Sequence, residues 1–341
     1  MKVCIFGGNG FVGSAVARKA VARGWSVVSV SRSGTPFATP AGHSPAWVNE
    51  VRSATSSRRL PRQRLTAPYG QVDWRKGSPF DPSTYDAVLP ECDALVTTLG
   101  TLFETSYKDK GVARPFSVLK ALAENLSGSR GNPLAQEARE RSYERLNRDS
   151  ALQLFDSFHS SRSSLSSPAA PSPFVFISAE DIFRPFVPSR YIQTKRQAEA
   201  EIWRRAVAET ETPSVRPVFV RPSLMYHPHL NPPSTLPATL LEATSNLHAL
   251  VPPSLHLLPS APPSSPVPSP TASIPSAATS LSSLLSIPPI HVDAVGEAVC
   301  AAIADEGTQG VVDVERMRRM LGFDELGWGL RGGDKKKAGA A

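Results

Sequence analysis

A chain of 341 residues is long enough for one large or two smaller domains, a typical domain being ~100–200 residues. Only 40% of it is hydrophobic and 33 residues are proline, so part of the chain lies outside any packed core. The net charge of +7 suits an anionic partner, but the arginines at 52, 58, 59, 62 and 64 lack the interleaved aromatic rings of a nucleic-acid platform, which argues against nucleic acid.

The first strand is expected from about Lys2 and runs through Val3-Cys4-Ile5-Phe6 to Gly7. No signal-peptide pattern precedes it, and a cleaved presequence would lie upstream of Met1. Helical spacing follows from Val12 to Ala22, Gly24 ends it, and Val27-Val28-Ser29-Val30 is the second strand. Residues 34–70 are rich in Pro, Ser, Thr and Arg without apolar period and read as a long surface insertion. Order resumes at Val72, and Ala94 to Thr98 is a further strand.

A second irregular region spans 104–138 and precedes a helix from about Arg139 to Phe158, with Leu146, Ala151, Leu154, Phe155 and Phe158 on one face. A Ser/Pro linker at 160–173 leads to the buried strand Phe174-Val175-Phe176-Ile177. Tyr191 to Ala208 is helical and Pro217 to Val220 is the next strand. This alternation predicts an α/β fold, a Rossmann-like doubly wound parallel sheet with helices on both faces, over residues 1–226. Residues 227–330 form a small, partly irregular C-terminal substrate region. Within it, Pro and Ser dominate 252–288, Ile290 to Ile303 forms a strand end and helix, and 331–341 is a disordered tail.

No apolar run approaches the ~18 residues of a membrane span, so the chain is expected to be soluble or peripheral. The three cysteines Cys4, Cys92 and Cys300 are far apart and lack metal-ligand spacing, which implies a reducing compartment and no metal site.

Gly7-Gly8-Asn9-Gly10-Phe11-Val12-Gly13 joins the first strand to the first helix, with glycines at 7, 10 and 13. Three glycines alone make only a tight turn. Inside a complete βαβ unit they let the backbone approach a pyrophosphate whose charge meets the helix N-terminus. A carboxylate ~20 residues on would bond the ribose of NAD. Here no acidic residue occurs before Glu50, and Ser31, Arg32 and Ser33 stand at that place, so NADP(H) is favoured over NAD(H).

Tyr191 and Lys195 lie one helical turn apart, and Ser178 ends a strand thirteen positions before the tyrosine. In this pattern Tyr191 exchanges a proton, its pKa lowered by the nearby ammonium together with the positive nicotinamide. Lys195 also holds the nicotinamide ribose, Ser178 polarises a substrate carbonyl, and Asn147 positions a relay water.

These residues resemble the short-chain dehydrogenase/reductase superfamily, in its extended and atypical branches, across most of residues 1–303 outside the insertions. VRPSLMY at 220–226 is similar to the segment lining the nicotinamide, which implies contacts from Pro222 and Leu224; IHVDAV at 290–295 is similar to a late motif of extended members. Thr98, Leu99 and Gly100 replace the usual Asn-Ala-Gly turn at the cofactor, and Ser78 replaces an aspartate near the adenine.

FGGNGFVGSAV, SVVSVSRSG, FISAED and YIQTKRQAEAEI most resemble the mitochondrial dehydrogenase-like branch associated with the fungal coenzyme Q biosynthetic complex, related to the NADPH-binding accessory subunit of respiratory complex I. That resemblance implies a matrix-side mitochondrial protein near the inner membrane, among coenzyme Q biosynthetic proteins or other inner-membrane assemblies. Three functions stay open: an oxidoreductase on a quinone precursor, a non-catalytic NADP(H)-binding accessory subunit, and a nucleotide-sugar epimerase or dehydratase.

Overall fold

The computed structural model describes residues 1–49, 72–100, 143–164, 170–182, 184, 187–208, 213–250, 267–268 and 276–323. Strands β1 (Lys2–Phe6), β2 (Ser26–Ser31), β3 (Val72–Lys76), β4 (Ala94–Thr97), β5 (Ser172–Ile177), β6 (Val215–Val220) and β9 (Gly310–Val312) form one parallel sheet in the order β3-β2-β1-β4-β5-β6-β9. Strand order reverses between β1 and β4, so the crevice of this doubly wound sheet opens above Gly7 and Thr98. A separate two-stranded sheet pairs β7 (Met225–Tyr226) with β8 (Ile290–His291).

Alternation along the strands divides the core in two. Val3, Ile5, Val96, Val175 and Val218 face α1 (Phe11–Ala22) and a helix at Val292–Ala304. Phe6, Leu95, Phe174, Phe176 and Phe219 face the helices Ser150–Ser163 and Ser189–Val207. The first face is almost entirely small and β-branched; the second is aromatic, with Phe155 set edge-on to Phe174.

The remaining helices, in chain order, are a single turn α2 (Ala46–Asn49), α3 (Ser150–Ser163), α4 (Ser189–Val207), α5 (Thr235–Leu250), α6 (Ala277–Ser286), α7 (Val292–Ala304) and α8 (Val314–Met320).

Several sequence expectations need correction. Phe37 and Val48, from the supposed surface insertion at 34–70, are buried, and Trp47 stacks on Phe37 and leans against Trp74 of β3. Three aromatic rings, widely spaced in sequence, give no period and so no signal. The supposed linker at 160–173 shrinks at both ends, because α3 runs to Ser163 and β5 starts at Ser172.

In the C-terminal region α5 occupies part of the supposedly irregular stretch, and α6 lies inside the Pro/Ser segment 252–288. Serine suits such a helix when its hydroxyl bonds the preceding turn: Ser283 donates to Thr279 O at 3.0 Å and Ser286 to Ser282 O at 3.1 Å. Residues 104–138, 252–266 and 331–341, and the arginines between 52 and 64, lie outside the described residues.

The cysteines, far apart in sequence, do not all stay apart. Cys4 and Cys92 meet beneath the sheet, where the Cys4 thiol donates to the Cys92 sulfur and is raised well above its ordinary value by that bond and by burial.

Arg216 of β6 is buried and donates to the carbonyls of Ala302 at 3.1 Å, Ile303 at 2.7 Å and Thr308 at 2.5 Å, closing the C-terminus of α7 with a cation. Arg216→Met leaves those carbonyls without donors. It is expected to lower the unfolding free energy by about 2–4 kcal/mol in urea denaturation with an unchanged slope. A loss under about 0.5 kcal/mol would show that water replaces the guanidinium there.

Candidate functional site

The turn between β1 and α1 is built by exclusion. Gly7 has φ +87°, which side chains rarely adopt, and a Cβ there would lie 2.5 Å from the Thr98 hydroxyl. A Cβ on Gly13 would stand 2.1 Å from Gly7 O, so α1 can start only because that position is bare. Sequence spacing passed over Gly8, yet a Cβ on it would meet Ser29 Oγ at 2.4 Å.

Gly10 caps α1 without any side-chain acceptor, and the first turn, opening with Phe11 and Val12, carries no acidic residue. The helix therefore presents unsatisfied amides and the positive end of its dipole to the crevice. This fits the diphosphate of a dinucleotide.

Beside it, Asn9 Nδ2 donates to Ser33 Oγ at 3.2 Å and to Thr35 O at 3.3 Å, and Gly34 N donates to Ser31 Oγ at 3.1 Å. These bonds lock the loop after β2 onto the phosphate turn. Arg32 stands exposed on that loop with no ion-pair partner among the described residues.

On the far side of the crevice Lys195 is buried, and its ammonium donates to Leu99 O at 3.2 Å and Ile177 O at 2.9 Å. A Cβ on Gly100 would lie 2.8 Å from Lys195 Nζ and 2.9 Å from Asn147 Oδ1, so Asn147, Gly100 and Lys195 converge. Asn147 is buried in a π-helical turn, Glu144–Asp149, that opens into α3. An inserted residue of this kind turns a side chain off the helix's regular face. Pro222 O accepts from Glu180 N at 2.9 Å and Leu224 O from Ile290 N at 3.0 Å, which places the segment after β6 along the same end of the sheet.

Ser178 does not join this group as expected. Its hydroxyl accepts from Arg196 Nη1 at 3.2 Å and helps to hold the neighbouring Glu199 carboxyl low. Tyr191, partly exposed and edge-on to Tyr143 with ring centroids 6.2 Å apart, makes no hydrogen bond with Ser178 or Lys195 among the described residues.

The expected electrostatics are also reversed. The protein packed around the Tyr191 hydroxyl pushes it up to about 12, and the cation opposing that rise is Arg196. Burial lowers Lys195 to about 7, with the Arg196 charge adding to the effect and Glu199 opposing it. At both groups desolvation outweighs the neighbouring charges.

Among the described residues, the side chains of His227, His291 and Asp293 come within 4.8 Å of one another. His227 Nδ1 accepts from the amides of His229 at 3.1 Å and Leu230 at 3.2 Å, and His291 Nδ1 accepts from Asp293 N at 3.2 Å. Both neutral rings thus carry their proton on Nε2, and Arg18 is ion-paired with Asp293. Donors with those lone pairs spent and a cation already in place do not fit a metal ion.

No family model matches the chain. It is 32% identical over 235 residues to MIOREX complex component 2 of Saccharomyces cerevisiae, an alignment covering 67% of this chain and 74% of that one. The chain belongs to the extended short-chain dehydrogenase/reductase-like proteins. An uncharacterized chloroplastic protein of Arabidopsis thaliana is 34% identical over 99 residues, covering 29% of this chain and 24% of its own length.

The fold is shared with a short-chain type dehydrogenase/reductase from Mycobacterium ulcerans, at TM-score 0.51 and 15% identity over 93% of this chain and 89% of that one. It is shared equally with a 3-oxoacyl-[acyl-carrier protein] reductase from Brucella melitensis solved with NAD, at TM-score 0.51 and 14% identity over 94% and 97%.

Lys195 makes the stability of this family member depend on pH. Unfolded, the amine keeps its proton to near its ordinary 10.5, whereas folded it loses it near 7. Between those values the unfolded chain binds more protons, so the penalty for burying the amine is greatest below pH 7 and fades as pH rises. Tyr191 acts in the opposite direction only above its ordinary 10.0. The stability difference between wild type and Lys195→Met is expected to move toward wild type by at least about 1 kcal/mol from pH 6.5 to 9.5. A flat difference would rule out the lowered amine.

Proposed function

We propose that the chain is a mitochondrial NADP(H)-binding oxidoreductase that works within a multi-protein assembly and acts on a quinone precursor. The observation carrying the cofactor preference is Arg32, exposed and without an ion-pair partner among the described residues, on a loop that Asn9, Ser33 and Thr35 fasten to the phosphate turn. A guanidinium flanked by hydroxyls suits a 2′-phosphate, and the β2 end offers no carboxylate to bond an unphosphorylated ribose.

NADP(H), when bound, supplies the hydride. The amides opening α1 hold the diphosphate, while Lys195 and Asn147 close the crevice opposite. Tyr191 keeps its proton at neutral pH and would give it to the oxygen of a substrate carbonyl whose carbon takes the hydride.

Assembly with other proteins is supported by the yeast relative, named as a complex component. Quinone chemistry and a place on the matrix side of the inner membrane rest on the sequence resemblance, with attachment peripheral. No described helix is long and apolar enough to cross a membrane.

A second reading, an accessory subunit that holds NADP(H) without turning it over, draws support from Ser178, whose hydroxyl is engaged by Arg196 and Glu199.

Arg32→Asp is expected to weaken NADPH at least about tenfold in a fluorescence titration while changing NADH by less than about threefold. Equal losses remove the preference for the phosphorylated cofactor. Tyr191→Phe should leave NADPH affinity within about twofold and abolish conversion of quinone intermediates in cells. A normal quinone pool in those cells decides for the accessory reading.

A further inference from the structure

The serine expected to polarise the substrate is already engaged. Its hydroxyl oxygen accepts from Arg196 at 3.2 Å, beside Glu199, which is wholly buried and gripped by Arg221 through both carboxylate oxygens. A neighbouring group occupies the same position with donors to spare. Arg196 reaches Ser178 Oγ at 3.2 Å and Glu199 Oε1 at 2.8 Å through Nη1, and Ala179 O at 2.9 Å through Nη2. Those three bonds use three of the five guanidinium protons, leaving Nε–H and one proton on Nη2.

Its side chain is one-fifth exposed. Fixed on three acceptors, it surrenders little freedom on meeting an anion. Its charge is felt at both Tyr191 and Lys195.

We propose that Arg196, rather than Ser178, is the group that receives the substrate's oxygen, and that the substrate is an aromatic ring bearing an anionic oxygen, a carboxylate or a phenolate. The ring is assigned from the edge-on Tyr191 and Tyr143 pair, whose Tyr191 feels the charge of Arg196, and the charge from the guanidinium itself. Glu199 and Arg221 then act as positioning residues that aim Arg196. This rests on the reading of the site as an oxidoreductase centre and names its substrate class.

The test is calorimetric titration of the full chain with benzoate and, separately, with its uncharged methyl ester. NADPH binding is measured on the same preparations. Arg196→Gln is expected to weaken benzoate roughly tenfold to a hundredfold and to leave the ester within about twofold. Arg196→Lys, which keeps the charge but not the fork, recovers part of the loss, and Ser178→Ala leaves benzoate within about twofold.

Failure of the wild type to bind benzoate at millimolar concentration overturns the assignment. So does an equal loss of acid and ester, or a Ser178→Ala defect as large as that of Arg196→Gln. NADPH binding that persists in those cases leaves the cofactor reading standing, whereas loss of NADPH binding with benzoate specificity intact strikes only the cofactor reading.

Discussion

Glu199 is the carboxylate on which this end of the molecule depends. It lies at 0% exposure on α4, one turn beyond Lys195, and two guanidiniums and a serine hydroxyl close around it. Removing one partner from such a buried pair typically costs about 3–5 kcal/mol, because the remaining charge has no water to return to. Glu199 therefore fixes the roll of α4 against the ends of β5 and β6, and with it the placing of Tyr191, Lys195 and Arg196. Glu180 lies within the field of the same arginines, and its carboxyl is nevertheless raised by burial. The arrangement favours positive charge at this end of the crevice.

The glycine-turn end follows a different logic. There backbone amides face the crevice, and side chains matter mainly where they are missing: Gly7, Gly8 and Gly13 are defined by what a methyl group would strike. The two ends meet at the reversal of strand order, where Thr98 bonds Phe6 O through both its amide at 3.0 Å and its hydroxyl at 2.9 Å. A fold of this type separates a generic dinucleotide grip from a variable substrate side.

Periodic features were readable in the sequence and context-dependent ones were not. The alternation of Val3 and Ile5 with Cys4 and Phe6, the turn glycines and the spacing of Tyr191 and Lys195 all follow from local geometry, and the parallel sheet they predict is the one found. Gly8 escaped because its need comes from Ser29, a residue on another strand. The role given to Ser178 depended on a free hydroxyl, and only the folded chain brings Arg196 and Glu199 to it. The pKa order of Tyr191 and Lys195 was inverted because charge can be counted from a sequence, whereas desolvation cannot. In α6, composition argued against a helix that hydroxyl bonding to the preceding turn permits.

One contact couples the C-terminal helices to the site. Arg184 grips Asp181 with bonds of 2.8 and 2.6 Å, and Ser280 of α6 bonds the same carboxylate at 2.8 Å while accepting from Arg184 N at 3.0 Å. All three residues are buried, three positions and more beyond Ser178. This is a rivet rather than a hinge: a movement of α6 is carried to the segment beyond the carboxyl end of β5 without slack, because parting the joint would strand a dry charge.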